Sequence, residues 1–432
     1  MNRTRKIYPI ELTPLLKEQL LQWAQQFEEV AWLDSNDYEE NHGSFKALLA
    51  VDAFTAIKTS AHGAFDALEE YQSLANDWLF GYLSYELKND LEALSSSNFD
   101  GLHFPDLYFF QPKKVFVFTE TQVELHYLAM VDDEMEIDWN TIKNSSVDND
   151  GMGDGDIKIR LRTSKDSYFE KINEMLRHIE RGDIYEANFC QEFYSEDCVI
   201  DPLRTFQYLN KISSPPFATF LKLDSHYALS ASPERYLKKL GNTVISQPIK
   251  GTAKRLSSPI EDKKMMENLA ADPKERSENI MITDLVRNDL SKFAEKGSVK
   301  VEELCKIYTF EQVHQMISTI RCEAAEGTTP VEMIRKTFPM GSMTGAPKVS
   351  AMIIIEELED AKRGLYSGAV GYFTPTGDFD FNVVIRSILY NAKLNYVSYS
   401  VGGAITAKSI PDNEYEECLL KAKAMREALN SA

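Results

Sequence analysis

Residues 232–252 read SPERYLKKLGNTVISQPIKGT, and the fold turns on how this stretch is paired. Tyr236-Leu237-Lys238-Lys239-Leu240 and Thr243-Val244-Ile245-Ser246 flank a two-residue Gly241-Asn242 turn, the signature of a type II′ hairpin. Glycine supplies the positive φ at the first turn position without steric cost. A regular register sets Leu240 opposite Thr243 and Glu234 opposite Ile249. Glu234 and Lys250 then occupy adjacent rungs at the open end, on opposite faces, because side chains alternate along a strand. They share a pocket only if the ladder slips by one residue, and Pro233 or Pro248 is where a bulge is expected. An acid and an amine held together there can serve as general acid and nucleophile. An ordinary cross-strand pair on a solvated sheet is the commoner outcome for such residues. The Lys-Gly-Thr ending favours chemistry: Gly251 admits close backbone approach and Thr252 adds a hydroxyl.

Outward from this hairpin, the 432 residues are 43% apolar, enough for a large core. A net charge of -20 argues against nucleic acid and anionic membranes as partners. It also means that an anionic substrate would need a cation or local positive groups. Five cysteines without CxxC spacing suggest no disulfide framework and a reduced, cytoplasmic setting. No secretory h-region and no apolar run of membrane-spanning length is present.

Amphipathic periodicity predicts a helix over 11–30, then a strand at Val30-Ala31-Trp32-Leu33. Strands are also expected at 80–85, 114–118 and 123–128, with helix at about 64–78. The run from Asn144 to Asp156 has the look of a calcium loop, but Met152 fills a ligand place and no Glu closes it. It reads as a solvated linker, dividing a region 1–143 from a region 161–432, with the linker spanning 144–160. A helix follows on the stripe Tyr168, Ile172, Met175, Leu176 and Ile179, with Gly182 as its C′ residue. Further helices are expected over 260–294, 330–337, 347–362 and about 412–429, and a β-meander over 367–401. Strand pairs joined by short turns imply an α/β (α+β) fold with largely antiparallel sheet and helices packed outside.

Glu275 and Glu278 lie three apart, on one helical face, and Glu414 and Glu417 repeat the spacing, with Glu416 adding further acid. Converging pairs would suit Mg²⁺, which takes few carboxylates plus substrate and water oxygens. Two solvated acidic faces are equally in keeping with so acidic a chain. Gly341-Ser342-Met343-Thr344-Gly345-Ala346-Pro347-Lys348 is not a phosphate loop, yet a helix opening at Pro347 could bind an anion. Gly402-Gly403 is a second close-approach loop. His314 reads as structural, and Cys190 as a buried thiol.

Taken together and in order, Pro248-Ile249-Lys250-Gly251-Thr252, the run Glu278 to Asp289, Gly341 to Lys348 and Glu414-Tyr415-Glu416-Glu417 resemble the chorismate-utilising enzymes. The resemblance is strong over about 165–430 and weaker over 1–140, through Leu33-Asp34-Ser35 and Gly81-Tyr82-Leu83. It implies two largely antiparallel sheets forming a β-sandwich core flanked by helices. Lysine at position 250 resembles the branch that aminates chorismate at C4; the branch making anthranilate usually carries Ala there. The resemblance further implies Lys250 as nucleophile at C2, Glu234 as general acid and Mg²⁺ on Glu278 and Glu417, with Glu275 and Glu414 beside them. Gly251, Thr252, Thr344, Tyr372, Arg386, Gly402, Gly403 and Lys408 fall in or near its substrate-contact motifs. This chain departs from the family at Gln315, Ala404 and Lys408, where His, Gly and Asp are common. An anthranilate-forming enzyme, or a non-catalytic homologue binding chorismate or tryptophan, are the alternatives. No cysteine has the glycine-flanked setting of a glutaminase nucleophile, and the chain ends soon after the last motif. The expectation is therefore that ammonia comes from a separate glutamine amidotransferase subunit.

Overall fold

In the computed structural model the hairpin forms with the expected turn: Gly241 adopts φ +60°, and Leu240 pairs with Thr243. Residues 2–38, 43, 45–146, 157–311 and 313–431 are described, so most of the calcium-like run lies outside the described residues. The expected one-residue slip occurs, but not at Pro233 or Pro248. Lys238 pairs with Ile245, whereas Arg235 pairs with Gln247, and the ladder to Phe379–Val383 slips at the same place. The extra residue is Tyr236. Its hydroxyl is 2.6 Å from Thr337 Oγ1 and its ring packs edge-on to Phe338, so tertiary anchoring rather than proline sets the bulge.

A second slip falls in the strand Ile249–Lys254 against Val313–Glu323: Ile249 faces Ile317, but Thr252 faces Gln315. Lys250 and Gly251 form this bulge, and Gly251 takes φ +90°, a region that glycine enters without strain.

Among the described residues, twenty strands make one hydrogen-bonded network, and the pairings between them are antiparallel. The network has two arms that face each other. One arm runs through Glu29–Asp34, Phe217–Leu223, His226–Ser232, Ser387–Asn391, Tyr396–Thr406 and Glu186–Ser195. The other runs through Leu79–Leu83, Ala369–Phe373, Phe379–Val383, the hairpin and Val313–Glu323. The long strands Ala47–Thr59 and Leu107–Phe118 belong to both arms and bend between them. Their ladder slips between Ala53 and Thr55, beside Asp52 at φ +63° and the donor-less Pro112. The two expected sheets are thus two arms of one folded-over sheet. Strands from 1–143 and 161–432 interleave in both.

Period-two alternation builds the layers. Ala31, Leu48, Phe80, Tyr82, Val370 and Tyr372 face the core between the arms. Val30, Trp32, Leu49 and Val51 face outward to the helices Pro14–Ala24, Lys165–Arg181 and Pro411–Ser431. Leu79, Leu83, Ala369 and Phe373 face Ala64–Ala75, Pro273–Ser291 and Pro330–Thr337.

Three expectations are corrected. The helix expected over 11–30 spans only Pro14–Ala24, because the strand Glu29–Asp34 begins soon after it. The stretch 260–294 is two helices, Pro259–Ala271 and Pro273–Ser291, parted where Pro273 lacks an N–H and Asp272 accepts from the Lys274 and Glu275 amides. The meander over 367–401 is interrupted: Phe379–Val383 and Ser387–Asn391 lie in different arms, and the chain crosses between them with Arg386 at φ +52°.

Candidate functional site

The bulge at Lys250-Gly251 is pinned from the helix Pro273–Ser291. Asn279 Nδ2 donates to Lys250 O at 3.4 Å and to Met316 O at 3.0 Å across the same ladder. Among the described residues the Lys250 ammonium makes no hydrogen bond or ion pair. Its charge nevertheless bears on Glu186, Glu234, Glu275, Glu278 and Glu417, pulling each carboxyl downward. Its charge thus bears on Glu234, the acid expected beside it, and on acids from three further elements.

Glu234 is 4% exposed, and its carboxylate is hydrogen-bonded by Ser342 from the Gly341–Met343 turn. Burial raises its pKa to about 7, outweighing Ser342 and Lys250. Because the folded value lies above the unfolded one, the penalty is absent below about pH 4.5. It grows as pH rises and is complete above about 7. Glu234→Gln should therefore stabilise the chain by up to about 3 kcal/mol at pH 8.5 and by almost nothing at pH 4.5. Thermal midpoints at the two pH values check this, and an equal midpoint shift at both would contradict it.

The acidic pairs converge. Lys274 Nζ lies 3.8 Å from both Glu278 Oε1 and Glu414 Oε1, bridging the first turns of two helices. A Cβ built on Gly403 would sit 3.4 Å from Glu414 Oε2 and 4.0 Å from Glu417 Oε1, and one on Gly251 would sit 3.1 Å from Glu275 Oε2. Both glycines therefore let backbone approach the carboxylates. Burial lifts Glu275 and Glu414, and lifts Glu278 to about 7 against the pull of Lys250 and Lys274. Glu417 goes the other way: burial would raise it, but Lys421 at 2.6 Å, with Lys274 and Lys250, holds it below the usual range. Among the described residues no three His, Cys, Asp or Glu side chains close around an ion unaided. Magnesium needs only one or two carboxylates plus ligand oxygens, and Glu278 Oε1, buried, without a hydrogen bond and only 3.8 Å from Lys274 Nζ, fits that demand.

The remaining expected residues divide. Thr252 is in the bulged strand opposite Gln315, and Thr344 is buried beside Asn188, whose amide donates to its carbonyl. Gly402 packs on Cys190 and Asn188, and its carbonyl accepts from Lys421. The Arg386 carbonyl accepts from the Ala231 amide at 3.1 Å, but its partly buried guanidinium has no hydrogen bond or ion pair among the described residues; burial lowers its pKa, opposed by Tyr366 and Glu417. Tyr372 is elsewhere: its ring lies against Phe45, Trp78 and Phe80, lining a separate cavity of about 90 Å³ with Leu33, Asp34 and Arg235. Lys408 is exposed in the turn after Tyr396–Thr406. Lys348 is structural, its buried ammonium donating to Asp289 Oδ2 at 2.5 Å and to the carbonyls of Thr337 and Pro339.

Sequence reasoning overlooked Glu186, Ser342, Lys274 and Lys421. The lysines carried a signal, each standing four residues from a site glutamate. Glu186 carried a weaker one, a lone acid opening an otherwise uncharged run up to Gln191.

A family model described as chorismate binding enzyme matches residues 25–427. An aminodeoxychorismate synthase from Streptomyces griseus is 35% identical over 83% of this chain, and the match spans 51% of that relative's length. An anthranilate synthase component 1 from Thermus thermophilus is 34% identical, covering 82% of this chain and 77% of its own. A component 1 of aminodeoxychorismate synthase from Klebsiella aerogenes is 37% identical over 63% of this chain and 60% of its own. Among solved structures, anthranilate synthase component I from Streptococcus pneumoniae superposes with a TM-score of 0.77 at 23% identity, over 99% of this chain and 100% of that one. The menaquinone-specific isochorismate synthase from Escherichia coli gives 0.77 at 16%, over 99% and 95%. At these identities the two structures speak for the fold.

Proposed function

Because the chain belongs to the chorismate binding enzymes, we propose that it is an aminodeoxychorismate synthase component I, converting chorismate and ammonia to 4-amino-4-deoxychorismate. The observation that carries the reading is Lys250: an ammonium without a hydrogen-bonding partner, raised on a bulge, whose charge bears on five carboxylates, the buried acid Glu234 among them. Once deprotonated, Lys250 adds to C2 of the ring as the C4 hydroxyl departs. Glu234, whose carboxyl holds its proton up to about pH 7, delivers that proton to the leaving oxygen. Ammonia then adds at C4 and the lysine leaves, so that the amine is regenerated. Arg386, with its donors unspent, is suited to a substrate carboxylate. Glu278 and Glu417 would hold Mg²⁺, with Glu275 and Glu414 beside them; when bound, the ion supplies positive charge for a carboxylate of the dianionic substrate.

The thiols bear on the ammonia source. All five cysteines are buried, and burial pushes Cys190 and Cys322 up to about 12 and also raises Cys198, Cys305 and Cys418. None is poised as a thiolate to open glutamine. A glutamine amidotransferase partner is therefore part of the proposal. No helix among the described residues is long and apolar enough to cross a membrane.

The second reading, anthranilate formation, has the Thermus relative in its favour. Incubating the chain with chorismate, ammonium and Mg²⁺ and identifying the product separates the two. The expected product is 4-amino-4-deoxychorismate, formed with ammonium but not with glutamine alone. Anthranilate as the main product would overturn the reading, and turnover of glutamine by the chain alone would overturn the partner.

A further inference from the structure

The guanidinium of Arg363 is buried, and each of its N–H donors meets an acceptor. Nε and Nη2 grip the two oxygens of Glu359 at 2.9 and 2.7 Å, and Glu359 Oε1 also accepts from the Cys190 amide at 2.8 Å. Nη1 donates to Met343 O at 2.6 Å and to Ser367 Oγ at 3.4 Å, and Nη2 to Asn188 O at 2.7 Å. Asn188 completes the arrangement. Its side-chain amide donates to Ser342 O at 3.2 Å and its backbone amide to Thr344 O at 2.7 Å. Arg363 and Asn188 thus hold three successive carbonyls, those of Ser342, Met343 and Thr344, and Arg363 holds Asn188 in turn. The Thr344 hydroxyl turns back onto Met340 O and Gly341 O. The group that the Gly341–Met343 turn offers to the site is therefore the Ser342 hydroxyl, which donates to the Glu234 carboxylate where the two residues border one small cavity.

A buried ion pair is a poor device for stability, since apolar side chains of similar volume commonly serve as well or better. What an arginine supplies is geometry: a planar fork whose donors diverge at fixed angles and reach two separate stretches of backbone at once. None of the hydrogen bonds of Arg363 goes to Glu234, Lys250 or the paired acids, so its part in the reaction is indirect. We propose that Arg363, braced by Glu359, is a positioning residue that locks the Gly341–Met343 turn against the strand Glu186–Ser195 and so aims the Ser342 hydroxyl at Glu234. The inference rests on the reading of Glu234 as the acid that protonates the departing hydroxyl. With its carbonyls fixed, the turn cannot swing the hydroxyl away. Glu234 then keeps the orientation that delivers its proton to the leaving oxygen, and Ser342 steadies the carboxylate that forms as the proton goes. A misplacement of about 1 Å at such a group costs about 10²-fold in rate. Lysine cannot substitute, because a single ammonium does not reproduce the fork.

The test measures kcat and KM for chorismate, with ammonium as nitrogen source, in Ser342→Ala, Arg363→Lys and the double variant, well below the thermal midpoint of each. Ser342→Ala should lower kcat about tenfold, the loss expected for a hydrogen bond to a charged group. Arg363→Lys should lower kcat by a similar factor and leave KM within about threefold. Because the arginine acts through the serine, the double variant should fall within about threefold of Ser342→Ala alone, rather than about hundredfold below wild type. An arginine that served the fold alone would give losses that multiply. Multiplying losses, a loss confined to KM, or a wild-type kcat in Arg363→Lys would each overturn the role. Should Arg363→Lys fail to fold, Glu359→Gln is held to the same results, since it keeps an oxygen for the Cys190 amide but loosens the grip on Arg363. A wild-type chain that makes no 4-amino-4-deoxychorismate removes the functional reading and this inference together. An active wild type whose Arg363 and Ser342 losses multiply removes the inference alone.

Discussion

Lys250→Ala should lower 4-amino-4-deoxychorismate formation by about 10³-fold or more, a loss of roughly 4 kcal/mol in transition-state stabilisation. The lysine is assigned a bond to carbon, which no neighbouring group can form in its place. Its ammonium makes no hydrogen bond among the described residues, so truncation removes no structural contact of that group. The bulge itself is held by backbone contacts, including the Asn279 bond to the Lys250 carbonyl, and these survive in alanine. What the fold does lose is a shared counter-charge. Glu186, Glu234 and Glu278 should each titrate higher in the variant, since Lys250 lowers all three. Lys250→Arg should not rescue, because a guanidinium does not give up its proton near neutrality. Product assays beside circular dichroism separate lost chemistry from lost fold. A Lys250→Ala enzyme within tenfold of wild type would rule out the covalent role, whereas a trace of anthranilate-type product would be in keeping with it.

The second large effect is expected at the paired helices. Glu278→Gln and Glu417→Gln should each reduce kcat/KM for chorismate by about 10²-fold, chiefly through KM, and weaken Mg²⁺ binding and activation without abolishing them. The amide keeps the shape but not the charge. With Glu278 lifted to about 7, cation binding must displace a proton near neutrality. Apparent Mg²⁺ affinity of the wild type should therefore rise as pH goes from 6 to 8, and calorimetry in buffers of different ionisation heat should register the released proton. Glu417 already stands ionised beside Lys421, so the pH dependence should persist in Glu417→Gln and vanish in Glu278→Gln. Activity undiminished in chelator would dispose of the metal site.

Much of this was legible because the informative residues act locally. Gly241-Asn242 dictates its turn from two residues, and carboxylates three apart on a helix must share a face. Their convergence was open on sequence alone, since it depends on two helices that start more than a hundred residues apart. The bulge was anticipated but misplaced: prolines carry a local signal, whereas Tyr236 is anchored by Thr337 and Phe338 from a distant segment. The strand Lys300–Thr309 escaped notice for a different reason. It is an edge strand carrying Lys300, Glu302, Glu303 and Lys306, so charge masks its alternation. Tyr372 shows the limit of a motif: its strand neighbours the site, but the pleat turns its ring into the core between the arms.

The interleaving of early and late strands in both arms has a consequence during synthesis. Glu29–Asp34 is completed by Phe217–Leu223, and Leu79–Leu83 by Ala369–Phe373, so neighbours are separated by some 190 to 290 positions along the chain. A ribosome releases the first half as bare sheet edges whose partners have not yet been translated. Closing such distant pairings is slow, and the newborn chain is open to aggregation until nearly its last strand emerges. Maturation of this protein should therefore depend on holdase protection late into elongation, more than its length alone would suggest.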